Sequence, residues 1–126
     1  MPRYNDTIME HFRNPRNVGE FEDAHGVGLE SNPICGDTTK IWLYIEDAAI
    51  SDIRFKTRGC AAAIATSSIC TERVKGMPLE VAKVVTAQEV AGWAGGLPRA
   101  KVHCSVLVAD ALRKAIADYE DQRRLG

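Results

Sequence analysis

Two short runs of strict alternation, joined by a tight connection, restrict this chain more than any other feature in it. From Lys40 to Glu46, Ile41, Leu43 and Ile45 alternate with Trp42 and Tyr44. From Ile50 to Thr57, Ile53 and Phe55 point opposite to Arg54 and Lys56. A period of two sends each set to its own face of a strand, so the runs predict an antiparallel hairpin turning at Asp47-Ala48-Ala49. After Thr57 the pattern becomes helical and stays so. Ala61-Ala62-Ala63-Ile64-Ala65 opens a strong helix former that runs to Lys75 and closes on Gly76. Pro78 starts a short helix through Val84, and Thr86 with Glu89 writes a capping box for Ala87 to Trp93. Val106, Leu107, Ala111, Leu112, Ala115 and Ile116 make the apolar stripe of a last helix reaching Tyr119. Upstream, Asn5 to Arg13 reads as a helix capped by Asp6, with Ile8 and Phe12 on one face and Asn14-Pro15 as its stop. Gly26-Val27-Gly28-Leu29 reads as an edge strand. Strands first and helices second predict an α+β fold: a small antiparallel three-stranded sheet, helices packed on one face, and a long C-terminal helix.

With 126 residues, the chain is expected to be a single domain over 1–126, able to bury a core without staples. Hydrophobic residues are 45%, charged residues 26%, and the net charge is −1, which leaves no electrostatic footprint for nucleic acid. No stretch approaches transmembrane length and no basic run marks a membrane surface; with no apolar segment in Met1-Pro2-Arg3-Tyr4-Asn5-Asp6, a cytoplasmic protein is expected. The four cysteines, Cys35, Cys60, Cys70 and Cys104, include no CxxC pair. Reduced thiols are therefore expected rather than a disulfide framework or a thiol oxidoreductase. A zinc hydrolase or deaminase would need an open zinc position and a general base, and its usual sequence signatures are absent.

Three of the cysteines fall where chemistry is expected. Leu97-Pro98-Arg99-Ala100-Lys101-Val102-His103-Cys104-Ser105 runs into the last helix, so His103 and Cys104 should occupy its first turn. Unpaired N–H groups there carry partial positive charge and bias a cysteine toward thiolate. Cys60, after Gly59 and before the helix-prone alanines, reaches the same kind of position independently. Cys35 lies in the turn-rich loop Ser31-Asn32-Pro33-Ile34-Cys35-Gly36-Asp37, where Gly36 permits a left-handed turn and Asp37 brings a carboxylate. Cys70 sits mid-helix and reads as a small core residue. Lys101 is within reach to stabilise neighbouring thiolates, while His11 and His25 read as surface residues. Cys35, Asp37, Cys60, His103 and Cys104 thus offer five candidate donors for the four places of a tetrahedral zinc or iron site. Replacing one thiolate by a carboxylate or imidazole should loosen the grip on a cluster ordinarily held by four cysteines.

The ordered blocks make the chain recognisable. Tyr4 with His11-Phe12-Arg13-Asn14-Pro15-Arg16-Asn17-Val18-Gly19, then Pro33-Ile34-Cys35-Gly36-Asp37, Phe55-Lys56-Thr57-Arg58-Gly59-Cys60, Ala63-Ile64-Ala65, Thr71-Glu72-Arg73-Val74-Lys75-Gly76 and Lys101-Val102-His103-Cys104-Ser105 resemble the IscU family. The same blocks characterise the N-terminal domain of NifU, the scaffolds on which iron–sulfur clusters are assembled. The resemblance implies a labile [2Fe–2S] cluster on Cys35, Cys60 and Cys104, with Asp37 or His103 as fourth ligand. It implies a non-enzymatic scaffold fed with iron, and with persulfide sulfur from a cysteine desulfurase, Cys104 accepting the sulfur. Asp37 would favour iron entry and cluster lability. The cluster would pass to recipient apo-proteins or carriers, and a homodimer bridged or stabilised by the cluster is compatible with the family. Zinc can occupy the same ligands, so a structural zinc domain is the alternative. Where many relatives carry Leu-Pro-Pro-Val-Lys for an Hsp70-type chaperone, this chain has Leu97-Pro98-Arg99-Ala100-Lys101, which puts that partnership in doubt.

Overall fold

The computed structural model describes residues 4–34 and 36–125; Cys35 lies outside the described residues. Its elements are α1 (Asp6–Arg13), β1 (Gly26–Ser31), β2 (Thr38–Glu46), β3 (Ala49–Arg58), α2 (Ala61–Val74), α3 (Leu79–Ala82), α4 (Ala87–Trp93), a 3-10 turn (Arg99–Lys101) and α5 (His103–Leu125). The three strands form an antiparallel sheet in the order β1-β2-β3. Their alternation works as read: Ile41, Leu43, Ile45, Ile53 and Phe55 face the helices and meet Cys70 and Val74 of α2 and Val108, Leu112 and Ile116 of α5. Each large apolar side chain buried there contributes about 1.5–3 kcal/mol. On the outer face Lys40 lies over the Trp42 ring and Phe21 stacks on Tyr44 at 4.0 Å between centroids. Among the described residues no helix is long and apolar enough to cross a membrane.

Several local readings change. The α1 cap is Asn5, whose side chain accepts the Ile8 N–H, rather than Asp6; Ile8 is buried but Phe12 is 40% exposed. Val106 drops out of the α5 stripe to the surface, and the helix continues six residues beyond Tyr119, to Leu125. His11 is buried instead of exposed. Its Nδ1 lies 2.8 Å from the Ser68 hydroxyl and its Nε2 3.6 Å from Glu72, and burial and the nearby Arg16 charge push its pKa down. His25 stays at the surface, yet its Nδ1 accepts the Ile45 N–H. The segment expected to be a plain polar connection pairs with the free edge of β3, through Phe55 N–H to Asn17 O and Gly19 N–H to Phe55 O. Cys70 is fully buried in the core, its thiol pushed up to about 12 by desolvation alone.

The hairpin turn is tighter than the spacing suggested. Asp47 (φ 53°) and Ala48 (φ 59°) are both left-handed, the conformation of a two-residue type I′ connection. Alanine there costs roughly 1–2 kcal/mol against glycine, partly offset by the extra freedom glycine brings to the unfolded chain. Ala48→Gly is expected to raise stability by about 0.5–1 kcal/mol, read as a higher midpoint in urea with an unchanged slope. A midpoint at or below wild type would remove the strain from this account.

Candidate metal and cluster site

β3 delivers the chain to Gly59 and Cys60, and Cys60 becomes the N-cap of α2 with no side-chain capping bond of its own. Pro98 and the 3-10 turn bring the chain round so that α5 starts at His103, with Cys104 its second residue. The mouths of these two helices converge. Cys60 Sγ lies 3.9 Å from Cys104 Sγ, and His103 Nε2 lies 3.7 Å from the same sulfur. Two donors on one tetrahedral ion at the usual zinc–sulfur and zinc–nitrogen lengths stand about 3.5–3.8 Å apart. Helical spacing alone would have aimed His103 and Cys104 apart, but their side chains turn toward a common point. Asp37, His103 and Cys104 each offer a ligand atom, and these lie within 4.8 Å of one another. Across the loop, Gly36 N–H bonds Asn32 O and Asn32 N–H bonds Asp37 O, both at 2.8 Å, and Gly36 takes φ 77°. Of the five sequence candidates, Asp37, His103 and Cys104 therefore form one close group and Cys60 adjoins it through Cys104; the fifth, Cys35, lies outside the described residues.

The electrostatics correct one expectation. Cys104 is only 1% exposed, and its pKa is pushed up to about 12, first by burial and then by the neighbouring Cys60 and Asp37 charges. Lys101 opposes this, and its own pKa is raised chiefly by the Cys60 sulfur beside it. Desolvation thus opposes the thiolate bias expected of a helix mouth and favours the protonated form of the Cys104 thiol. Tyr4 was prominent in the sequence only as part of an ordered block. Like Cys60, it packs against the cluster of Ala62, Ala63 and Cys104, and its hydroxyl pKa is raised, mainly by burial. An open recess of about 340 Å³ borders His103, between residues 30–33 and the start of α5.

Fold and site together define a small α+β protein whose two helix mouths present a pocket of thiol, imidazole and carboxylate donors. The chain belongs to the family described as the NifU-like N terminal domain, whose model matches residues 3–125. Among its relatives, IscU 1 of Archaeoglobus fulgidus is 56% identical over 116 residues, covering 92% of this chain and 76% of that protein. IscU of Escherichia coli K12 is 43% identical over 124 residues, covering 95% and 96%. Both are named iron–sulfur cluster assembly scaffold proteins, not enzymes. The same fold occurs in the N-terminal part of a NifU-like nitrogen-fixing protein of Brucella abortus, with TM-score 0.75, 21% identity and 94% of each chain covered. The resemblance read from the ordered blocks therefore holds at the level of family and fold.

Proposed function

We propose that this protein is a scaffold on which a labile [2Fe–2S] cluster is built from iron and sulfur and then passed to recipient apo-proteins. The observation that carries the reading is a convergence from three separate parts of the chain: Asp37, His103 and Cys104 hold ligand atoms within 4.8 Å of one another, and Cys60 Sγ adjoins the group 3.9 Å from Cys104 Sγ. Cys60, Cys104 and Cys35 supply the thiolates, and Asp37 or His103 the weaker fourth donor. Cys104 is the sulfur acceptor. The Cys104 thiol attacks the outer sulfur of the persulfide on a cysteine desulfurase and its proton passes to the departing sulfur; the donor's S–S bond breaks, the donor leaves as a thiol, and Cys104 carries the persulfide. A thiol or electron-transfer reductant must then supply two electrons for each sulfur released as sulfide. Lys101, beside Cys60, steadies negative charge in the pocket.

Anaerobic incubation with ferrous iron, cysteine, dithiothreitol and a desulfurase is expected to turn the protein brown. A colourless protein under those conditions would overturn the scaffold reading. A structural zinc domain draws on the same donors. Its core, however, is built by the sheet with α2 to α5, away from the pocket, so the fold has support independent of any ion. Unfolding on chelation would favour the zinc reading; an apo form with native circular dichroism would dispose of it.

A further inference from the structure

The residue before Cys60 is a glycine for an unusual reason. Positive φ among the described glycines belongs to Gly19, Gly36, Gly76, Gly95 and Gly96, so the backbone at Gly59 would accept any residue. What it lacks is room. A Cβ at Gly59 would stand 2.7 Å from Asp37 Cγ and 2.9 and 3.0 Å from the two carboxylate oxygens, and these are the three nearest atoms. The backbone on either side of the contact is already committed. Asp37 is held by the 2.8 Å bond from Asn32 N–H to its carbonyl and enters β2 at once, while Gly59 follows the β3 residue Arg58, paired with Thr38. The group free to yield is the carboxylate, the end of a short side chain. Turning it away removes one of the three donors now within 4.8 Å of one another.

We infer that Gly59 is a positioning residue, whose missing side chain seats the Asp37 carboxylate within reach of an ion shared with His103 and Cys104. This rests on Asp37 being a metal donor, as proposed above. Gly36 and Gly59 then have separate tasks. Gly36 supplies the turn that brings Asp37 round, since a Cβ there would meet nothing within 4 Å, and Gly59 leaves the space the carboxylate enters.

The test is a double-mutant cycle on the full chain, titrated anaerobically with cobalt(II), whose visible bands report the ligands directly. Gly59→Ala is expected to weaken cobalt binding roughly tenfold, the scale seen when a partner that orients a ligand is lost. Its bands should move toward those of Asp37→Ala, with the thermal midpoint nearly unchanged. In the Asp37→Ala background the same substitution should add nothing, because the group it displaces is gone. Wild-type affinity and bands for Gly59→Ala, or an equal loss with and without the carboxylate, would overturn the inference. If Gly59→Ala does not fold, the double variant decides: recovery of folding upholds the clash, and continued unfolding rejects it. Should the wild type fail to form a cluster while the cycle behaves as described, the scaffold reading falls and the seat for Asp37 stands.

Discussion

Gly28→Ala is expected to destabilise the protein by about 3 kcal/mol or more, lowering the melting temperature by roughly 10 °C. The cause is the closeness of β1 to α5. A Cβ at Gly28 would fall 2.3 Å from Ala111 O and 2.4 Å from Ala115 N, and one at Gly26 would fall 2.3 Å from Ala115 O. These partners are helix backbone, which no change of rotamer can move. Ala111 and Ala115 are small for the complementary reason, and the Val27 N–H donates to Asp118 of the same helix at 2.8 Å. Relief requires α5 to lift from the sheet, breaking the contacts of Val108, Leu112 and Ile116 in the core. Because α5 also begins with His103 and Cys104, the substitution should weaken metal binding as well. Leu29→Ala is the matched control, since Leu29 is 53% exposed on the neighbouring position and should change stability by less than about 0.5 kcal/mol. Equal melting temperatures for Gly28→Ala and wild type would mean that the helix does not lie as close as described.

The same pair of glycines shows what a sequence can and cannot disclose. Alternation in β2 and β3 and the capping box at Thr86 and Glu89 are local signals, and each is realised. That Gly26-Val27-Gly28 forms an edge strand could be read; that its glycines exist to admit a helix more than eighty residues later could not, because the partner is distant in the chain. His11 fails for a related reason. A histidine on a short helix has no sequence mark of burial, and its partners Ser68 and Glu72 both come from α2, more than fifty residues on. Ala48 fails differently, since alanine is a poor advertisement for a left-handed turn. At the site, the helix mouths under Cys60 and Cys104 were legible from Gly59, Pro98 and the apolar spacing. The degree of burial was not, and burial is the largest cause that raises the Cys104 pKa.

Removing a thiolate and removing the carboxylate from this pocket should give opposite kinds of failure. Cys60→Ala is expected to leave the protein colourless after anaerobic reconstitution. Cys60 Sγ is 3.9 Å from Cys104 Sγ and no other described cysteine can replace it, Cys70 being fully buried in the core. Asp37→Ala is expected to form the chromophore still, because His103 Nε2 already stands 3.7 Å from Cys104 Sγ and can fill the fourth position. Transfer is where the carboxylate should matter. As the proposed fourth ligand, Asp37 would put a hard oxygen on a site otherwise made of soft sulfur, the bond expected to yield first to an incoming thiolate of a recipient. Without it the cluster should leave roughly tenfold more slowly, which corresponds to about 1.4 kcal/mol of added barrier. Following circular dichroism as the cluster passes to an apo-ferredoxin measures this directly. Equal transfer rates for Asp37→Ala and wild type would take Asp37 out of the release step, and a brown Cys60→Ala would take Cys60 out of the ligand set.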